Sequence, residues 1–335
     1  MQQFTFLIIL SVITAARALV PSFLRHWTCV GIRSGMDFSR PLAINIGDLP
    51  LVLWKNENTG KIVSAMNICK HMGSRLDTGT VTDAGCLKCN YHGLEFSEKD
   101  AFGQIAEHEG KLFWAYEPAK PAPEKIPFFA NKNYIHSFLQ IDMDASLVDC
   151  ALNSVDVRHP EFVHNMGFGS SVPPTDIRQY NYKDRVGLAF KYESNAMMRR
   201  INSGVQSTQN FHMFVYPSFT WSRVSFDNKH LIVAVNFLPL ERNKTRWFVT
   251  LCHNYYQSNI QQNFMKMLAA TILSQDYVQM RTQAPDDELK RSVLFDHVFK
   301  DEEVILWLYK MFGDYAYPDT KACATLYGSH RENNK

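Results

Sequence analysis

The sequence lacks a basic tract, a disulfide framework and a dinucleotide loop, and it has no long apolar run beyond its first residues. Each absence removes a class of function. The formal net charge is only +2, with 35 Lys and Arg against 33 Asp and Glu. No cluster of cations is long enough to track phosphates, so nucleic acid is excluded as a partner. The seven cysteines, Cys29, Cys69, Cys86, Cys89, Cys150, Cys252 and Cys323, are odd in number and widely scattered. That is not how a small secreted domain is stapled. Gly167-Phe168-Gly169 has no third glycine and no βαβ surroundings, so it is no nucleotide fingerprint. A charged fraction of 20% is low for a disordered chain.

What is present suits two modest domains with a sizeable core, since 46% of the 335 residues are hydrophobic and 13% aromatic. Phe4 to Ala15 is an uncharged apolar run followed by Ala16-Arg17-Ala18, the A-x-A pattern of a cleavable leader. Residues 1–18 are therefore expected to be a signal or targeting segment. A membrane-lying anchor helix or a buried first helix is the alternative. Thiolate metal sites usually mature in reducing compartments, which conflicts with plain secretion. A plastid reached through the ER reconciles the two, with membrane association or the secretory pathway as alternatives. Asn243-Lys244-Thr245 is a glycosylation sequon only if the chain is secreted.

From Trp27 to about Phe129 the pattern is β-rich. Leu51-Val52-Leu53-Trp54 and Ile62-Val63 flank the polar loop Lys55–Lys61, and Gly110 separates Ile105 from Leu112-Phe113-Trp114, so two hairpins are expected. Two loops here carry the strongest signal. Cys69-Lys70-His71 is followed, after seventeen residues, by Cys89-Asn90-Tyr91-His92. Each loop offers one thiolate and one imidazole, the ligand set of a Rieske [2Fe–2S] cluster. Gly73 and Gly93 lie just past each His and let the backbone turn closely. Zinc also takes Cys₂His₂, but zinc fingers pair their cysteines in one knuckle and their histidines in a helix. Cys86 has no cysteine partner in the other loop and reads as a free or buried thiol.

Pro118 to Pro127 is a stiff, Pro-rich exit from this half. Beyond it, Tyr134–Asp144 reads as a strand and Ala145–Asp156 as a helix. His159 and His164 are five apart and would point about 140° away from each other on an ideal helix. Pro160 breaks the geometry and starts a new helix, so both rings can reach one ion. Two imidazoles and a carboxylate make a non-haem Fe(II) site with positions left open for O₂. Asp276 lies in an amphipathic helix expected over Asn259–Gln283, and an acid in that setting needs a partner such as a metal. Asp286, Asp287 and Asp296 are its rivals, of which the first two follow Pro285 in a polar run. Val186–Glu193, Phe211–Phe226, His230–Leu240 and Arg246–Tyr256 suggest an antiparallel sheet between the ligands.

With these motifs the chain resembles the Rieske non-haem iron oxygenases of the catalytic α-subunit type, over nearly everything from Trp27 onward. It is nearest the branch of plastid pheophorbide a and chlorophyllide a oxygenases. Lys70, Met72, Asn90 and Leu94 depart from that branch's usual Pro, Arg, Pro and Trp, and none is a ligand. The C-terminal membrane helices and CxxC motif of some plastid members are also missing. The resemblance implies an α+β fold. An all-β Rieske domain (25–130) precedes a helix-grip-like catalytic domain (131–335) with a curved antiparallel sheet and a long helix. It implies a cluster on Cys69, His71, Cys89 and His92, and Fe(II) on His159, His164 and Asp276. Gln275 stands where the family commonly has an acidic residue ahead of its carboxylate ligand. Asp156 is expected to hydrogen-bond an iron-ligand histidine and bridge towards the cluster of a neighbouring subunit, while Asn153 matches a position near the iron. The implied reaction is oxidation by O₂, chiefly monooxygenation, of an apolar or aromatic small molecule, with chlorophyll-type pigments as a candidate. External electrons come from a ferredoxin or reductase, because no flavin or NAD(P)H motif is present. Transfer between subunits suits a homotrimer. A sterol or lipid desaturase with the same centres, and a Rieske electron carrier without oxygenase activity, are the alternatives.

Overall fold

The structure, a computed structural model, describes residues 22–164, 172–194, 199, 204, 206–285, 287–295, 303–314 and 317–333. The leader at 1–18, Gly167-Phe168-Gly169, Asp286 and Asp296 lie outside the described residues. Two compact units divide the chain. One holds the described residues up to Pro123 together with those from Asp314 on, and the other spans Glu124–Gly313.

The first unit is built from three small antiparallel sheets. They run β1 (Thr28–Ile32), β9 (Lys111–Ala115), β8 (Gln104–His108); then β2 (Leu42–Ile46), β3 (Leu49–Lys55), β4 (Ile62–Met66); then β5 (Thr80–Val81), β6 (Leu87–Lys88), β7 (Glu95–Phe96). Both expected hairpins are present as β3–β4 and β8–β9. Glu109 and Gly110 take positive φ at the second turn, as a two-residue hairpin requires. Strand β3 is the centre of its sheet, and Leu51, Val52, Leu53 and Trp54 are all fully buried. The indole N–H groups in this core find partners. That of Trp54 donates to the Gly85 carbonyl at 3.2 Å and that of Trp114 to the Phe102 carbonyl at 3.0 Å.

The expected second domain ran to residue 335, but the chain from Asp314 on belongs to the first unit. The reason is a clamp at Asp48, whose carboxylate accepts from the backbone N–H and hydroxyl of Thr320, both at 3.0 Å. Its own N–H donates to the Pro318 carbonyl at 2.9 Å. Gly47, at φ +59°, leaves room for this approach, since a Cβ there would meet Pro318 at 2.7 Å. The C-terminal helix Thr320–Asn333 then lays Tyr327 and His330 against Phe102.

The second unit centres on a seven-stranded antiparallel sheet ordered β10, β16, β15, β14, β13, β12, β11. Its strands are β10 (Ile135–Met143), β11 (Thr175–Asn181), β12 (Arg185–Glu193), β13 (Ser207–Val215), β14 (Phe219–Phe226), β15 (Lys229–Glu241) and β16 (Lys244–His253). The stretch expected as one segment over Phe211–Phe226 is two strands, split at the cis Tyr216–Pro217 bond. Strand β11 escaped the sequence reading because its residues, Thr-Asp-Ile-Arg-Gln-Tyr-Asn, are mostly polar. That composition suits an edge strand exposed to water.

One face of the sheet buries Ile232, Ala234, Cys252, Val215 and Phe219 beneath Ile126 and Tyr134. Two helices pack on the sheet: α1 (Leu147–Val155) on β13, β15 and β16, and α3 (Asn259–Met280) on β10. Ser146 caps α1, its hydroxyl accepting from the Asp149 N–H at 3.1 Å, and α1 buries Leu147, Val148, Cys150, Ala151 and Val155. Ser258 and Gln261 form a reciprocal capping box at the start of α3. Between them lies the short α2 (His159–Val163), with Pro160 in its first turn. Helices α4 (Glu288–Val293) and α5 (Glu303–Met311) follow.

Candidate metal centres

The two cysteine–histidine loops are built alike. In the first, the Cys69 N–H donates to the Ser74 carbonyl at 2.7 Å and the Gly73 N–H to the Cys69 carbonyl at 2.9 Å. Twenty residues later, Cys89 bonds Leu94 and Gly93 bonds Cys89, both at 2.9 Å. Gly73 and Gly93 take φ of +75° and +73°, the left-handed turn this pattern needs. Asn67 braces the first loop from beneath, its side-chain oxygen accepting from the N–H groups of Leu76 and Asp77 at 2.8 and 2.9 Å.

Cys69 and Cys89 are buried in a core cluster with Val52, Trp54, Leu76, Leu87 and Phe96. Both histidines are exposed, with ring centroids 4.6 Å apart. Burial alone would push the Cys89 thiol up. The N–H groups of Tyr91 and His92, with the side chains of Cys69 and Ser74, outweigh it and hold the thiol below its ordinary value. Two buried sulfurs bathed in N–H groups, and two imidazoles reaching outward beside each other, fit a Rieske cluster. None of the seven cysteines is in a disulfide, and Cys86 sits apart in the Thr82–Cys86 turn. Three of the four departures from the family pattern have local partners, and the fourth is on the surface. Lys70 pairs with Asp100 at 2.7 Å, Met72 is exposed, Asn90 donates to the Thr78 carbonyl, and Leu94 packs on the cysteine core.

In the second unit, α2 and α3 bring His159, His164 and Asp276 together. One ligand atom from each lies within 4.8 Å of the others. The Asp276 Oδ1 is 3.5 Å from His159 Nε2 and 3.3 Å from His164 Nε2. This oxygen is buried and makes no aligned hydrogen bond among the described residues. Burial would raise the Asp276 carboxyl. Its contacts with the two imidazoles prevail and bring it down to about 2. A buried carboxylate oxygen that faces two ring nitrogens and makes no aligned hydrogen bond fits the donor set of a metal ion.

Both rings are held by the nitrogen that faces away from Asp276. His159 Nδ1 lies 2.7 Å from the Asp156 backbone carbonyl and His164 Nδ1 2.9 Å from the Gln275 side-chain oxygen. A carbonyl-type oxygen only accepts, so each Nδ1 carries a proton, and the Nε2 atom on the side facing Asp276 is the one that would give its lone pair to a bound metal. Asp156 thus touches His159 through its main chain. Its carboxylate caps the corner instead, Oδ1 accepting from the N–H groups of Arg158 and His159 at 2.8 and 3.1 Å, while Oδ2 stands 4.0 Å from His159 Nδ1. The Tyr192 hydroxyl secures the same corner by donating to the Val157 carbonyl. Asn153, Asp156 and His159 line a cavity of about 750 Å³ with Arg158, Phe162 and Met280. Gln275 and Tyr192 are supporting residues that sequence reasoning assigned no role. Gln275 carried a signal, as the direct neighbour of a proposed ligand, and Tyr192 carried none. The rival Asp287 caps α4, accepting from the Lys290 N–H at 2.9 Å.

Comparison with known proteins bears on the first unit and on the fold as a whole. Residues 26–113 match the Rieske [2Fe-2S] domain family. The first unit therefore contains a Rieske domain, and the chain is related to the Rieske non-haem iron oxygenases. Pheophorbide a oxygenase of Oryza sativa, a chloroplast protein, is 23% identical over 262 residues, covering 69% of this chain and 50% of the relative. The oxygenase component of dicamba O-demethylase from Stenotrophomonas maltophilia is 28% identical over 240 residues, covering 61% of this chain and 66% of the relative. The crystal structure of dicamba monooxygenase bound to dicamba superimposes with a TM-score of 0.72 at 13% identity, covering 93% of this chain and 99% of that one. The chain thus has the Rieske oxygenase fold, and it spans about half the length of the pheophorbide a oxygenases it matches. No helix among the described residues is long and apolar enough to cross a membrane.

Proposed function

We propose that this chain is an oxygenase that uses O₂ and external electrons to oxidise, chiefly by monooxygenation, an apolar or aromatic organic molecule. The observation that carries this reading is the convergence of His159, His164 and Asp276 in a chain that also bears the two cysteine–histidine loops. An electron carrier has no use for a second, buried ligand set. When bound, the cluster supplies single electrons and the mononuclear iron supplies O₂ activation.

Cys69, His71, Cys89 and His92 hold the cluster, with the histidine edges turned to the solvent side where a ferredoxin or reductase can approach. His159 and His164 would each give a metal their Nε2 atom and Asp276 an anionic oxygen, three ligands that leave open positions. Asp156 fixes His159 and opens onto the cavity beside it, a suitable point for electrons arriving from a second copy. Such transfer favours a head-to-tail trimer. Asn153 shares that cavity and would help shape the approach to His159. Similarity to pheophorbide a oxygenases supports a chlorophyll-type pigment as substrate and a plastid location. Similarity to dicamba O-demethylase supports a smaller aromatic ether.

The test is a single turnover. Protein carrying both metals is reduced, mixed anaerobically with pheophorbide a or with a methoxybenzoate, and exposed to ¹⁸O₂. Oxygen-18 in a product, or loss of a methyl group as formaldehyde, supports the reading. Cluster reoxidation with neither substrate altered in any member of either class would contradict it.

A further inference from the structure

We infer that Gln275 is a positioning residue for the mononuclear centre, holding His164 in the ligating tautomer while adding no charge to the site. The inference rests on the reading of His159, His164 and Asp276 as metal ligands. Gln275 directly precedes Asp276 on α3, yet its side chain serves a different residue. Its oxygen lies 2.9 Å from His164 Nδ1, 111 residues away in sequence. One helix therefore provides an anionic ligand from one position and the support for a second ligand from the next.

The chemistry follows from the acceptor's type. An amide oxygen accepts the Nδ1 proton and leaves the Nε2 lone pair aimed at Asp276. A carboxylate in the same place would do this too, but would pull the proton and make the imidazole a stronger, more anionic donor. The other ligand ring is held in the same neutral way, by the Asp156 carbonyl at 2.7 Å. Neither Nδ1 is hydrogen-bonded to a charged group, so within the ligand set the full negative charge is on Asp276, with the Asp156 carboxylate standing off at 4.0 Å from His159 Nδ1. Neutral support on both histidines keeps the ferrous state favoured over the ferric one relative to a carboxylate-supported site. That suits a centre that must wait in the reduced state for its substrate.

The mismatch in burial strengthens the assignment. His164 is buried, with its side chain 8% exposed, so water cannot readily replace the amide as acceptor. His159 relies on backbone, which no side-chain substitution removes. Among the described residues, Gln275 is the side chain hydrogen-bonded to an imidazole Nδ1 of this set, and a point substitution can delete that bond without touching a ligand.

The experiment uses cluster-loaded protein stripped of its mononuclear metal and titrated anaerobically with Co(II), whose visible bands report ligand number. Wild type should bind one Co(II). Gln275→Leu should bind it about 10- to 100-fold more weakly. Gln275→Glu, which keeps an acceptor, should bind within threefold of wild type or tighter, and the Fe(III)/Fe(II) potential of its iron-loaded form should move to more negative values. If Gln275→Leu does not fold, the Glu variant decides alone: a shifted potential supports the inference and an unshifted one overturns it. Leucine binding Co(II) as tightly as wild type, with the same bands, also overturns it while leaving the metal site standing. Failure of the wild type to bind any Co(II) would instead defeat the ligand reading on which the inference depends.

Discussion

The two candidate centres each use a pair of histidines, and they treat them in opposite ways. His71 and His92 stand exposed at the tips of short loops, beside the exposed side chains of Ile68, Met72 and Tyr91. His164 is buried and His159 nearly so, and they are braced at Nδ1 by Gln275 on α3 and by the Asp156 carbonyl at the corner between α1 and α2. The first pair is backed by buried sulfurs and faces outward, the arrangement for passing electrons to and from something outside. The second pair is turned inward on a buried carboxylate, the arrangement for chemistry that must be kept from water. The histidines are common to both centres; what the protein does with the imidazole edge separates them.

This contrast can be broken one side at a time. Cys89→Ser should have the largest effect, removing two irons, the cluster absorbance and all electron supply, while Co(II) still binds at His159 and His164. Asp276→Ala should do the converse: the cluster signal stays at wild-type intensity and O₂-dependent turnover falls to background. If either substitution removed both metals, the centres would not be the separate constructions described above.

Asp156 offers a finer division, because its cap and its charge can be parted. Asparagine keeps the oxygen that accepts from Arg158 and His159 but loses the charge. Asp156→Asn should therefore retain iron and slow reoxidation of the cluster, whereas Asp156→Ala should also weaken Co(II) binding by about 10- to 100-fold. Stopped-flow traces beside a metal titration separate the two. Equal metal affinity in both variants would show that the cap does not position His159.

The smallest effect concerns pH. His212 on β13 is buried, and burial first, with the nearby His159 second, depresses its imidazole to about 3 from 6.5. Its ring nitrogens Nδ1 and Nε2 bond the hydroxyls of Ser222 at 2.5 Å and Thr220 at 2.9 Å. Between pH 3 and 6.5 the unfolded chain takes up a proton that the folded one refuses, so stability is full above pH 6.5 and is lost as pH falls through that window. The slope from this group is at most about 1.4 kcal/mol per pH unit. Urea unfolding of His212→Gln should show a flatter dependence between pH 4.5 and 6.5, and an unchanged slope would contradict the assignment.

Much of this was legible in the sequence because it depended on residue type and spacing. The paired Cys-x-His and Cys-x-x-His loops carry their chemistry openly, and Pro160 announces the break that His159 and His164 need. Asp276 could be singled out as an acid in an apolar helix. What depended on main-chain geometry was hidden. Nothing in the sequence says that Asp156 would serve His159 through its carbonyl, or that Gln275 would reach across to His164. The return of the C-terminal helix to the first unit was equally invisible, because the anchor is a single surface carboxylate, Asp48, whose partner lies 272 residues away.

The central claim is that one chain carries both a cluster and a separate mononuclear iron. Counting iron and acid-labile sulfide on anaerobically purified protein, for the wild type and for His159→Ala, tests it most directly. The account predicts about three irons and two sulfides per wild-type chain, and about two irons with two sulfides in the variant. Two irons in the wild type with no change in His159→Ala would contradict it.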